Sequence, residues 1–247
     1  DFLLNHDANE TVAEFVREKI YSVVKDPTTA QKLLPTQVIG CKRLCLDSGY
    51  YETFNRPNVS LVDVGSEPIE RITEHGLVAG GEEHTFDVLV YATGFDAMTG
   101  SLLKIDIRGR NNQPLAEAWD AGPVTYLGLS TAGFPNMFMV SGPGSPSVLT
   151  NMMMSIEQHV EWISDCISHI VTSGKTTIET TDKEQTEWVA FVNAVADMTL
   201  YPSCNSWYLG ANVPGKPRVF MPLLGFPTYA DKCTEVAANG YEGFVLA

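Results

Sequence analysis

Between Thr11 and Val24 the apolar residues Val12, Phe15, Val16, Ile20, Val23 and Val24 recur at spacings of three and four, the stripe of an amphipathic helix, and Asp26-Pro27 ends it. A shorter helix is expected from Pro27 to Leu34, with proline in the first turn, where its missing N–H does no harm, and Pro35 closing it. From Val59 the pattern changes to short alternating runs at 59–64, 69–73 and 85–91, separated by turns such as Glu74-His75-Gly76 and Ala79-Gly80-Gly81, which predicts strands of a sheet. Further on, residues 104–108 with the Asn111-Asn112 turn read as a hairpin arm, and 136–140 as a compact apolar strand. A long helix is predicted over 151–172, with Met154, Val160, Ile163, Ile167 and Ile170 toward a core and Ser173-Gly174 at its end. Two more helices are expected over 183–200 and 228–239, giving an α/β chain with helical insertions.

Composition narrows the classes of function. With 247 residues, 44% hydrophobic and 19% charged, the chain suits one large domain or two small ones with ample core. A net charge of −14 argues against nucleic acid and anionic membrane surfaces, so an anionic ligand requires a local basic cluster. No apolar run approaches the roughly 20 residues that span a bilayer, and the first residues are neither a signal peptide nor an initiating Met, as in a chain cut at its start. Five scattered cysteines without CxxC or zinc-spaced histidines point to a reduced, cytoplasmic protein without a structural metal. HExxH and GxSxG are absent, which disfavours zinc and serine hydrolases.

Four segments carry candidate chemistry. The run Phe86-Asp87-Val88-Leu89-Val90-Tyr91 breaks into Ala92-Thr93-Gly94-Phe95-Asp96, whose small side chains allow a cofactor to approach the backbone; an ordinary glycine turn is the other reading. Ser141-Gly142-Pro143-Gly144-Ser145-Pro146-Ser147 leads into the long helix, the layout in which amides and a helix dipole meet an anion or an electron-rich ring. It lacks GxGxxG spacing, so a tight turn is the alternative. Lys42-Arg43 is a basic pair in an acidic chain, either solvated or facing a cleft. Ser206-Trp207-Tyr208 with the loop 210–217 is either packing or a mobile lid.

Together with Gly49-Tyr50-Tyr51, Phe54 to Val59, Gly128 to Asn136, Ser155 to Trp162 and Gly240-Tyr241-Glu242-Gly243-Phe244, these segments resemble the C-terminal half of type I Baeyer–Villiger monooxygenases. Within that family the Ser145-Pro146-Ser147 bulge resembles the phenylacetone monooxygenase group. The resemblance implies part of a flavoprotein with two Rossmann-like dinucleotide-binding domains, for FAD and NADPH, and a helical insertion. It implies residues 1–41 as the helical insertion, 42–95 as the C-terminal part of the NADPH domain, and 96–247 as the C-terminal part of the FAD domain.

The implied activity inserts one atom of O2 beside a ketone carbonyl through a C4a-peroxyflavin, giving an ester or lactone. Arg43 would be the catalytic arginine and would also contact the nicotinamide cofactor, Lys42 would meet the 2′-phosphate of NADPH, and Trp207 would close over NADP. Met152, Thr93 and Gly94 would contact cofactor, while Ser147, Val148, Leu149 and Met152 would line the substrate pocket. Both GxGxxG fingerprints and the FxGxxxHxxxW signature of the family are missing from the sequence. The expectation is that the absent N-terminal half is a required partner and that this chain alone is inactive. The alternatives are an N- or S-oxidising flavin monooxygenase, or a non-catalytic fragment acting through protein contacts.

Overall fold

The structure, a computed structural model, describes residues 1–146 and 149–247. Ser147 and Val148 lie outside the described residues, so two of the expected substrate-pocket positions receive no structural account. The chain divides into two compact units, Asp1–Gly94 and Phe95–Ala247.

In the first unit, α1 (His6–Val23) starts where the Asn5 side chain accepts the Ala8 N–H, at 3.0 Å, and α2 (Pro27–Leu33) starts where Asp26 accepts both the N–H and the hydroxyl of Thr29. Ile20, Val24 and Ala30 form the buried centre of this helical pair, with Tyr51 and Phe54 packed on it from around the short helix α3 (Tyr50–Thr53). A three-stranded antiparallel meander follows: β1 (Ile69–Ile72), β2 (Gly76–Ala79) and β3 (Glu82–Thr85). Its tight β2–β3 turn is Gly80-Gly81, both at positive φ (58° and 81°), the geometry that two-residue hairpins favour.

The second unit opens with the single-turn helices α4 (Gly100–Leu103) and α5 (Leu115–Ala118), which flank a small core of Leu115, Trp119, Phe134 and Met139. Three longer helices, α6 (Met152–Thr172), α7 (Asp182–Asp197) and α8 (Phe226–Ala238), contribute to the main core. There Trp162, Cys166 and Ile170 of α6 meet Trp188 and Val192 of α7 and Tyr229, Cys233 and Val236 of α8. The Trp162 indole donates to the Cys233 carbonyl at 2.9 Å, tying α6 to α8. Strands β4 (Ile178–Thr180) and β5 (Phe244–Leu246) close the unit as an antiparallel pair.

Several local expectations change. Residues 86–91 form no strand: beyond the Phe86 N–H bonded to the His75 carbonyl, no backbone hydrogen bond engages 87–94 among the described residues. Residues 59–64 and 136–140 likewise lack strand character; each run is apolar enough, but a strand exists only through a neighbour's ladder. Asn136 donates its N–H to the Ile178 carbonyl at 2.9 Å, and its side chain receives the Ile178 N–H at 2.9 Å and donates to the Thr176 carbonyl at 3.1 Å. On α6 the buried face is Ser155, His159, Trp162, Cys166 and Ile170, while Met154, Val160 and Ile167 are about half exposed. Cys45, Cys166 and Cys233 are free thiols, so the expectation of reduced cysteines holds for those three and not for Cys41 and Cys204.

Asn9, buried on α1, donates to the carbonyls of Phe2 (2.8 Å) and Ile39 (2.9 Å) and accepts the Ile39 N–H (3.0 Å). It therefore fastens the segment leading into Lys42-Arg43 onto the helix. Asn9→Ala strands those backbone groups and is expected to cost about 1–3 kcal/mol in chemical denaturation of the chain; a loss below about 0.5 kcal/mol would remove Asn9 as a fastener.

Candidate functional site

Loop 141–146 runs from the end of an extended segment toward α6, whose N-terminal turn is capped by Asn151 accepting the Met153 N–H at 3.0 Å. The loop is built by close backbone packing against the Tyr126–Ser130 turn. A Cβ on Gly142 would lie 2.4 Å from the Gly128 carbonyl oxygen, and a Cβ on Gly128 would lie 2.5 Å from the Ser145 nitrogen, so only glycine fits on either side. Three side chains then hold the loop's carbonyls: Ser145 Oγ donates to Gly142 (2.8 Å), Thr125 Oγ1 to Pro143 (2.7 Å), and the Trp188 indole to Gly144 (3.1 Å).

The loop's entry is held by a buried histidine. His159 Nδ1 accepts the Ser141 N–H at 2.9 Å, which places the ring proton on Nε2. That nitrogen sits 2.8 Å from Tyr229 Oη, so Nε2–H donates to the phenol, and the phenol in turn donates to the Leu127 carbonyl at 2.8 Å. Ser141 occupies a left-handed conformation (φ 55°), which such fastening sustains. Burial drives the His159 pKa down to about 4 and raises that of Tyr229, so both groups are neutral near pH 7. Beside the loop, the hydroxyls of Ser141 and Ser155 are buried without a hydrogen-bond partner among the described residues.

The sequence-derived site residues fall in both units. In the first, Lys42 and Arg43 are exposed at the edge of an open hollow of about 340 Å³ bordered by the segment 34–40. Thr93 and Gly94 are exposed at its end; Gly94 has φ 78°, and a Cβ built on it meets nothing within 4 Å, leaving its backbone bare. In the second, Met152 is the first residue of α6, and Leu149 is exposed just before it. Trp207 begins a one-turn 3-10 helix, is 38% exposed, and packs edge-on against Tyr208 with ring centres 4.5 Å apart.

The loop after Trp207 is fastened to the segment 95–97 through two of its residues. Lys216, with 11% of its side chain exposed, pairs with Asp96 and donates to the Ala97 carbonyl at 2.7 Å, and Asn212 donates to the Phe95 carbonyl. Asp96 and Lys216 were within the segments singled out, but nothing at a separation of 120 residues marks them as partners. His159 also went unread, because a polar residue between Gln158 and Val160 carries no signal that it faces inward.

The chain is similar over its whole length to several monooxygenases. It is 42% identical to cyclohexanone 1,2-monooxygenase of Acinetobacter sp. over 246 residues, covering 99% of this chain and 45% of that protein. It is 40% identical over 247 residues to a Baeyer–Villiger monooxygenase of Pseudooceanicola batsensis, again covering 99% and 45%. A phenazine N-monooxygenase, PhzNO1 of Lysobacter antibioticus, is 43% identical over 248 residues, covering 100% and 45%. Among solved structures, the OTEMO complex with FAD and NADP superposes with a TM-score of 0.94 at 42% identity, covering 100% of this chain and 46% of that one. No family model matches the chain. The chain spans about half the length of the curated relatives it matches.

This likeness in sequence and fold defines the class: the chain has the fold of about half of a protein with two dinucleotide-binding domains. More narrowly, the chain is similar over its whole length to about half of proteins named Baeyer–Villiger and cyclohexanone monooxygenases.

The neutral, buried His159 makes a pH prediction. Its folded pKa lies below the unfolded value of 6.5, so between about 6.5 and 4 the unfolded chain takes up a proton that the folded chain refuses. The associated stability is full above that window and lost as pH falls through it, by at most about 3 kcal/mol. Denaturant midpoints at pH 7 and 4.5 should differ more for the wild type than for His159→Gln; equal differences would mean that His159 does not titrate this way.

Proposed function

We propose that the whole protein to which this chain belongs is an FAD- and NADPH-dependent monooxygenase that inserts one oxygen atom of O2 next to a ketone carbonyl, giving an ester or lactone. The observation that supports this reading most is the likeness to cyclohexanone 1,2-monooxygenase across 99% of the chain.

The residues present fit the ring end of a flavin and the nicotinamide side of NADPH. The bare Gly94 backbone offers polar contacts to a cofactor, and the loop 141–146 leads to the N-terminal turn of α6, where the helix dipole favours negative charge. The pyrophosphate fingerprints are absent from the sequence, so the adenine ends would be held elsewhere. Bound FAD, reduced by NADPH, would supply the oxygen-transfer chemistry.

On this reading Arg43 holds a permanent positive charge beside the oxyanion that develops when the ketone carbonyl is attacked, and Lys42 meets the 2′-phosphate of NADPH as a compact cation. The dipole of the 21-residue α6, pointed through Met152, favours negative charge at the ring it faces. Thr93 and Gly94 admit cofactor to the backbone, and Trp207 with its fastened loop covers the nicotinamide side and excludes water. Ser147, Val148, Leu149 and Met152 shape the wall that the ketone meets. The exposed apolar side chains of Val88 (76%), Val90 (78%) and Tyr91 (67%) mark where the N-terminal half would complete a sheet.

The phenazine relative supports a second reading, in which the same oxidant meets a ring nitrogen rather than a carbonyl carbon. One experiment addresses both. The chain alone, incubated with FAD and desalted, is expected to be colourless. Fused behind the N-terminal half of the Acinetobacter enzyme, it should retain yellow flavin and consume NADPH with cyclohexanone or an aryl ketone, and an Arg43→Ala fusion should keep its flavin but lose ester formation by about a thousandfold. N-oxide from phenazine without ester from any ketone would favour the second reading. Flavin retained by the chain alone, with turnover, would overturn the need for an N-terminal half.

A further inference from the structure

Between α7 and α8 lies a cavity of about 470 Å³ that the reading above leaves without a role. Its size is that of a small-ligand site. Its walls are aromatic: Trp188, Tyr229, Tyr126 and Phe191, the last 43% exposed although apolar. Its lining carries four carboxylates, Glu184, Glu187, Asp231 and Glu235, against the single cation Lys232. Lys232 is paired to Glu235 at 3.1 Å, and Lys183, outside the lining, is shared by Glu184 (3.1 Å) and Glu187 (3.5 Å). Asp231 has no ion-pair partner among the described residues.

This combination selects a ligand type. An anion would be repelled by the surplus of carboxylates, and a bare metal ion has no cage, since no group of three His, Cys, Asp or Glu side chains converges to hold one among the described residues. Aromatic faces with carboxylates around them suit a cation carrying an apolar body, which the ring quadrupoles and the acidic groups attract together. Two walls also reach the loop described above from behind: Trp188 donates to the Gly144 carbonyl, and Tyr229 is bonded through His159 to the Ser141 N–H. An occupant therefore borders Trp188, which holds the loop at Gly144, and Tyr229, which is bonded to the histidine that holds it at Ser141.

We propose that the α7–α8 cavity binds a small organic cation with an aromatic or quaternary ammonium body, and that occupancy is transmitted to the Ser141–Gly144 loop through Trp188 and Tyr229. The cavity is lined by residues of this chain alone, so its test is independent of the activity proposed for the whole protein.

The chain is titrated with benzyltrimethylammonium, and with benzyl alcohol and benzoate as neutral and anionic counterparts, while assigned amide and indole N–H resonances are followed by NMR. Saturable shifts are expected at the Trp188 indole and at the loop amides, tighter for the cation than for the alcohol and absent for benzoate. The double variant Glu187→Gln/Asp231→Asn, at exposed positions that leave the fold intact, should weaken the cation about threefold to tenfold and leave the alcohol unchanged. Phe191→Ala should weaken both. Equal affinity for the alcohol, no saturable shift of Trp188, or an effect of the double variant on neither probe would overturn the site, and shifts at Trp188 without shifts in the loop would overturn the transmission.

Discussion

A histidine sealed from water, with both ring nitrogens bonded, is the constraint around which the second unit is arranged. His159 can serve only in the neutral form, with its proton on one particular nitrogen, and it then joins three separately folded pieces: the loop through Ser141, α8 through Tyr229, and the Tyr126–Ser130 turn through Leu127. Because these bonds lie inside the apolar core of Trp162, Trp188 and Tyr229, breaking one cannot be repaired by solvent. The glycine contacts between the loop and the turn depend on the same fixation, since backbones packed without an intervening Cβ have no side chain to take up slack.

The first unit uses the same device in a simpler form. Asn9 spends its whole amide on the backbone at Phe2 and Ile39, so the position of Lys42-Arg43 follows from a helix face rather than from the basic residues themselves. The two cations are exposed and owe their geometry to what precedes them. A chain with net charge −14 that keeps an adjacent lysine and arginine on an ordered segment concentrates positive potential where an otherwise acidic molecule has little.

How far the sequence foretold this differs between helices and sheet. The long helices were legible to within a few residues because their signals are local: the apolar stripe before Val24, Asp26-Pro27 closing it, and Ser173-Gly174 at the end of α6. Strand runs were legible only in part: 69–73 holds β1, but Val88 and Val90 alternate correctly without a paired neighbour among the described residues, while Ile178 and Phe244 form a ladder across a long separation that no window contains. On α6 the inward face was read in part: Ile163 and Ile170 pack into the core as expected, whereas Ser155 and His159 were passed over for Met154, Val160 and Ile167. At the site, the residue types and order were readable from resemblance, whereas the fastening by Asn9, His159 and Lys216 depends on contacts that only the folded chain brings about.

The unpaired run 86–91 also bears on how this polypeptide behaves as a material. Five of its six residues are apolar or aromatic, Asp87 being the one charge, and its side chains at Phe86, Val88, Val90 and Tyr91 stand open to water. Short segments of high β-propensity and low charge with free backbone groups nucleate intermolecular sheets. The run 86–91 has these features, with no backbone ladder among the described residues, and Asp87 is its single charge.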